Sequence, residues 1–178
     1  MTTITVWDRV VRCLHWTLVL SVIVSWACTE WFVRWHQPAG YVALAAVVVR
    51  LAWGLLGTRY ARFAQFVRAP RATWSYTRSL WRHREPRYIG HNPLGGWMVL
   101  ALLACVAGLC LTGWLYTTDR FWGDEVVDLL HQTLAWTLLG LALAHVAGVA
   151  FTSFRHRENL VRAMWNGRKD APGPADVD

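Results

Sequence analysis

Seven histidines punctuate this chain of 178 residues: His15, His36, His83, His91, His131, His145 and His156. Four of them, His15, His36, His131 and His145, fall inside or at the edge of long apolar stretches. An ionisable side chain there is costly to keep and marks a functional site by default. Neutral imidazole is the commonest metal ligand and an axial ligand of haem iron. His131 and His145 stand 14 positions apart. On an α-helix that spacing falls about 40° short of four full turns, so both point to one side, roughly 21 Å apart along the axis. One imidazole near each end of a span suits two cofactors stacked at two depths, each needing a second ligand at its own level. Zinc or a di-iron centre would need ligands converging on one point, usually with carboxylates. These histidines separate into two levels with no acid among them. Cys13, Cys28, Cys105 and Cys110 form neither CxxC nor CxxCH, which leaves zinc ribbons, thioredoxin-type motifs and c-type haem attachment unsupported. They read as small buried hydrophobes.

Composition says what must position the histidines. The chain is 55% hydrophobic and only 16% charged, against roughly 25% charged for soluble domains. This argues against a cytosolic enzyme. The net charge is +7, from 18 basic residues of which all but Lys169 are Arg. On so apolar a chain that balance points to a membrane surface and not to nucleic acid. Runs with few or no charges predict four transmembrane helices over about 13–33, 38–57, 94–116 and 127–152. Each is long enough to cross a hydrocarbon core of roughly 30 Å. The alternation of a membrane β-barrel is absent. The expected class is an all-α membrane protein, a four-helix bundle in one domain over 1–168. The first span does not read as a cleavable signal, because it holds His15, Trp16 and Trp26 and no small-x-small site follows.

Loop charges set the orientation. The connection 59–92 carries Arg59, Arg62, Arg68, Arg71, Arg78, Arg82, Arg84 and Arg87 against Glu85 alone, and Arg155, Arg157, Arg162, Arg168 and Lys169 follow the last span. The opposite loops hold Glu30 with Arg34, and Asp119, Asp124, Glu125 and Asp128 with Arg120. The positive-inside rule therefore predicts cytoplasmic termini. Within the Arg-rich connection, Phe63, Phe66, Val67, Trp74, Tyr76 and Trp81 interleave with arginines and read as an amphipathic segment on the inner leaflet. The Pro/Gly/Asp-rich tail 169–178 reads as disordered. Depth then pairs the ligands: His15 with His145 near the inner leaflet, and His36 with His131 near the outer one.

Arg50, alone in its span and 14 residues after His36, is placed at the inner level. A haem propionate there would accept bidentately from its guanidinium; snorkelling to the interface is the alternative. Arg12, like its neighbour Arg9, is a similar candidate. His91, in GHNPLGG (90–96), sits at the mouth of the third span, where Asn92–Pro93 reads as a helix start. It is either an interfacial residue or a neighbour of the inner haem or a quinone headgroup. His83 and His156, among arginines, read as solvated. Trp31, Trp35, Trp114 and Trp122 fit an outer aromatic belt, and Trp53, Trp97 and Trp136 read as deeper packing.

VWDRVVRCLHW (6–16), His36 with Gly40 and Arg50 beyond it, GHNPLGG, and HQTLA (131–135) followed by His145 resemble the bacterial cytochrome b561 and Ni,Fe-hydrogenase cytochrome b subunit family. The resemblance covers roughly 4–165. It implies a four-helix bundle in the cytoplasmic membrane with two non-covalent b haems, held by His15, His36, His131 and His145. It also implies electron exchange between quinone and a redox partner, and the compact length points away from a dedicated hydrogenase role. One rival within redox chemistry is a superoxide:quinone oxidoreductase. The outer loops carry five acids against two arginines, which suits a cationic partner such as a basic cytochrome c better than an anion. A haem-free anchor or transporter is the rival outside it, without a visible inverted repeat in its favour.

Overall fold

A computed structural model describes residues 2–28 and 33–177. Glu30 and Trp31 lie outside the described residues. Seven α-helices and two short strands follow in the order β1 (Thr3–Thr5), α1 (Arg9–Ala27), α2 (Val33–Leu56), α3 (Phe63–Phe66), α4 (Pro70–Trp81), α5 (Pro93–Tyr116), α6 (Glu125–Arg155), α7 (Leu160–Asn166) and β2 (Arg168–Asp170). Four of the helices, α1, α2, α5 and α6, are long and apolar enough to span a membrane. Their starts are written in side chains. Asp8 accepts from the Val11 N–H at 2.8 Å, Asn92 from Gly95 at 2.7 Å, and Asp124 from Val126 and Val127 at 2.9 and 3.0 Å. Each oxygen satisfies a donor that the first turn leaves orphaned.

The expected bounds shift for the same reason. Helix α1 begins at Arg9 instead of 13, because Asp8 caps it, and ends at Ala27 instead of 33. Helix α2 starts at Val33 and carries Pro38 inside it, where the sequence suggested Pro38 as its beginning. A proline there removes one backbone donor without ending the helix. Helix α6 continues to Arg155.

The chain, expected as one domain over 1–168, is described as two compact units whose boundaries fall within the long helices. The first holds the residues up to Arg12, Ala52–Leu100, and those from Ala144 on. Its core is Val6, Trp7, Val11, Ala61, Ile89 and Ala163. Here β1 pairs antiparallel with β2, Thr3 opposite Asp170 and Thr5 opposite Arg168. Gly167, at φ +83°, ends α7 in the left-handed region, and its carbonyl accepts from the Val6 and Trp7 N–H groups. A Cβ there would sit 2.5 Å from the Trp7 carbonyl oxygen, so only glycine makes this turn.

The tail read as disordered is instead placed through residue 177. Lys169 is buried, donates to the Tyr88 and Ile89 carbonyls at 3.2 and 3.1 Å, and pairs with Glu158 at 3.0 Å. Arg87 bridges Glu158 at 2.7 Å and Asp176 at 2.5 Å. Composition signals low hydrophobicity in this stretch, but the two Arg87 bridges span 71 and 89 positions of the chain and leave no local trace. His156, read as solvated, is half-buried beside the same cluster. Phe66, read as lipid-facing, is fully buried.

Candidate functional site

The second unit comprises Cys13–Leu51 and Ala101–Leu143. Side-chain contacts tie its four helical segments into a closed set. His36 of α2 meets the Ser25 carbonyl of α1, and Trp26 of α1 meets Trp136 of α6 with ring centres 5.2 Å apart. Cys110 of α5 donates to the Gly40 carbonyl of α2 at 3.4 Å, and Cys105 of α5 to the Leu134 carbonyl of α6 at 3.3 Å. These thiols pack as weak donors; Cys28 is also buried, whereas Cys13 is exposed. Between the segments lies a cavity of about 810 Å³, walled mostly by apolar side chains and containing both His36 and His131. That volume is at the upper end of the range for small-molecule sites, roughly 300–1,000 Å³.

The two imidazoles approach with ring centres 6.1 Å apart and planes inclined by 61°. Their Nδ1 atoms are both engaged. The Ser25 carbonyl can only accept, so His36 Nδ1–H donates to it at 2.9 Å. It lies in the last turn of α1, where carbonyls lack intrahelical partners. His131 Nδ1 lies 2.8 Å from Thr112 Oγ1. The single proton of that hydroxyl is directed to the backbone carbonyls of Gly108 and Leu109, at 2.9 and 3.2 Å. Thr112 therefore accepts from His131 Nδ1–H. With Nδ1–H so engaged, the lone pair of each ring falls on Nε2, the arrangement in which an outer partner orients a metal-ligating histidine and raises its basicity.

Glycines make the room. A Cβ at Gly113 would stand 3.3 Å from His131 Cε1, whereas one at Gly40 would meet nothing within 4 Å. A metal–nitrogen bond of roughly 2 Å on each side, with each ring centre behind its nitrogen, sets imidazole centres about 6 Å apart. The observed separation is compatible with both residues holding one metal, should a metal-bearing group bind there. No group of three or more His, Cys, Asp or Glu suited to a metal ion occurs among the described residues. Two imidazoles would instead be able to hold a haem, which brings its remaining iron ligands with it.

Of the four predicted ligands, the structure brings His36 and His131 together. His15 belongs to the same unit and stands edge-on to Trp16 at 5.2 Å; His145 belongs to the other unit. Arg50 is buried, 6% exposed. Arg12 donates to the Trp165 carbonyl near the end of α7, a helix-end contact. His91 lies between Trp7 and Phe66, ring centres 4.7 and 4.5 Å away, in an aromatic cluster of the first unit. Trp53 donates to Asp8 at 3.0 Å and Trp97 to the Arg68 carbonyl at 3.1 Å, so both are structural, whereas Trp114, Trp122 and Trp136 line the cavity. Sequence reasoning passed over Ser25, Thr112 and Gly113. A small or hydroxyl residue in an apolar span was the only available signal, and it is a weak one.

Four apolar spans and a cavity with two neighbouring, outer-bonded imidazoles suit a membrane protein of the b-type cytochrome class. The chain belongs to the prokaryotic cytochrome b561 family, whose match extends over residues 6–167. It is thus a multi-pass membrane protein that transfers electrons by means of haem b. It is 25% identical to proteins of Azotobacter chroococcum and Azotobacter vinelandii, each named a probable Ni/Fe-hydrogenase B-type cytochrome subunit. Each alignment covers 93% of this chain and 88% of the relative. A protein of the same name from Bradyrhizobium diazoefficiens is 20% identical over 94% of this chain and 86% of its own. No solved structure matches the chain significantly.

Proposed function

We propose that the chain is a di-haem subunit that carries electrons across the bacterial inner membrane, between the quinone pool and a redox partner on the periplasmic side. The observation that carries this reading is the His36–His131 pair, 6.1 Å between ring centres inside one cavity, with both Nδ1 atoms committed to outer partners. His15 and His145 form the second pair, on the strength of their matched depth in the spans. Haem supplies one-electron redox chemistry when bound. The protein's own part is to hold the iron through Nε2, to fix ring tautomer through the Ser25 carbonyl and Thr112 Oγ1, and to exclude water with an apolar wall. Two imidazoles per iron leave no open coordination position, which suits electron transfer and disfavours oxygen binding. Arg50, buried in α2, is assigned to a haem propionate.

Charge favours a cationic partner such as a cytochrome c, since the loops assigned to the periplasm hold more acids than arginines. The same balance stands against superoxide as the substrate. The names of the aligned relatives favour a hydrogenase as a second partner class, and the chain covers most of their length. The test is a haem count by pyridine haemochrome on purified protein and on His131→Ala. Two b haems, falling to one in the variant, support the assignment; an unchanged count in the variant overturns it. Folded, haem-supplied protein that binds none would bring the transporter rival forward.

A further inference from the structure

Helix α4 carries a face that no described residue of its own unit covers. Arg71, Trp74, Arg78, Trp81 and Arg82 follow one another at spacings that place them within an arc of about 100°. All five are exposed; Trp74 keeps 67% and Trp81 81% of its surface. Tyr76, on the opposite side, is buried and packs edge-on against Tyr88, 5.5 Å between ring centres. The inner side of the helix is thus already occupied, and the Arg–Trp side points away from the unit. No Asp or Glu occurs between Gly57 and Arg84 to neutralise it.

Both ends of this helix are pinned to the ends of membrane spans. Before α4, the Arg68 carbonyl accepts from Trp97 Nε1, in the first turns of α5. The Phe66 backbone lies so close to Gly96 that a Cβ there would stand 2.6 Å from its carbonyl oxygen. After α4, Arg155, the last residue of α6, pairs with Glu85 at 2.8 Å and donates to the His83 carbonyl at 2.9 Å. A helix tethered at both ends to span termini is held at the level of the membrane–water boundary. Tryptophan is the side chain that settles there, and arginine pairs phosphate.

We propose that the Arg71–Trp74–Arg78–Trp81–Arg82 face of α4 binds anionic phospholipid headgroups, its guanidiniums on the phosphates and its two indoles at headgroup depth. The inference rests on the four-span membrane reading and is independent of how many haems are bound. The cytoplasmic leaflet, where the positive-inside rule sets this segment, is the anionic one. A soluble acidic protein would satisfy the arginines equally well. It would not explain two exposed indoles on a helix fastened to span ends.

The test is native mass spectrometry of full-length, haem-loaded protein, counting phosphatidylglycerol retained against phosphatidylcholine, for the wild type and for Arg71→Gln/Arg78→Gln/Arg82→Gln. The wild type is expected to retain phosphatidylglycerol selectively. Three charges removed near the surface weaken that retention on the order of a hundredfold. If the triple variant loses haem or fails to fold, Arg71→Gln and Arg78→Gln singly carry the test, each expected to weaken retention on the order of fivefold. Trp74→Leu/Trp81→Leu should also reduce retention, for both lipids. Unchanged phosphatidylglycerol selectivity in a haem-replete charge variant overturns the proposal. So does loss of an acidic soluble partner while lipid retention stands, which would make the face a protein dock. Either result leaves the haem assignment untouched.

Discussion

Replacing Thr112 by Val removes one oxygen and almost no volume. The Thr112 side chain is buried, and its Oγ1 is the acceptor for His131 Nδ1–H at 2.8 Å. In the Val variant that N–H stays in an apolar cavity wall without its acceptor, at a cost of about 1–3 kcal/mol. The penalty falls on the tautomer that presents Nε2 to a metal, so it appears as weaker haem retention. At 1.4 kcal/mol per decade this is roughly five- to a hundredfold, overlapping the 10–100-fold typical for loss of an outer partner of a metal-bound histidine. The same loss would make the imidazole less basic and a poorer donor to a bound iron, so the potential of the haem proposed for His36 and His131 should rise. Redox titration monitored at the b-haem absorption band, together with haem titration into apoprotein, reads both effects. Thr112→Ser keeps the oxygen and should restore both towards the wild type. Unchanged affinity and potential in Thr112→Val, in protein where His131→Ala still loses one haem, would refute the reasoning.

Further outcomes follow from other contacts. Gly113→Ala gains about 1 kcal/mol of helix propensity, but its Cβ would press on His131 Cε1 from 3.3 Å. It should leave thermal stability unchanged or raised while shifting the spectrum of one haem, and spectroscopy beside calorimetry separates the two effects. Glu158→Gln leaves the buried Lys169 ammonium without its counter-ion and should loosen the β1–β2 pair by about 3–5 kcal/mol, read as faster hydrogen exchange at residues 3–5 and 168–170. Acid should loosen the same pair. Burial would raise the Glu158 carboxyl, but the hydrogen bond from Arg87 and the Lys169 charge outweigh it and hold it below its ordinary value of 4.5. Burial is likewise outweighed at Asp176, by a backbone hydrogen bond from Gly173 and then by Arg87, which hold it below 3.8. Depressed carboxyl groups stabilise the folded state above their unfolded values and lose that contribution as pH falls through the folded ones. Protection at β1 and β2, after the intrinsic pH dependence of amide exchange is divided out, should therefore be flat above about pH 5 and fall below about pH 4; a fall already at pH 6 would point to His156 instead.

Residue types and periodicity alone revealed the four spans, because a run of about 20 apolar residues has few fates besides a membrane helix. They also singled out His36 and His131 as partners, because imidazoles in apolar runs are rare and depth follows from span direction. The helix starts at Asp8, Asn92 and Asp124 obey local rules, and of these Asn92 was legible beforehand. What surrounds those two imidazoles was not. Thr112 lies 19 positions from His131, and Ser25 meets His36 through a carbonyl, which every residue owns. Gly113 matters only because a ring from another helix rests on it. The tail shows the same limit from the other side: Pro, Gly and Asp predict disorder, yet Lys169, Glu158, Arg87 and Asp176 tie it down across the chain. Hydrophobicity and helical period are properties of a segment and can be read along it. A hydrogen bond or ion pair depends on where two distant segments meet, and only the tertiary structure decides that.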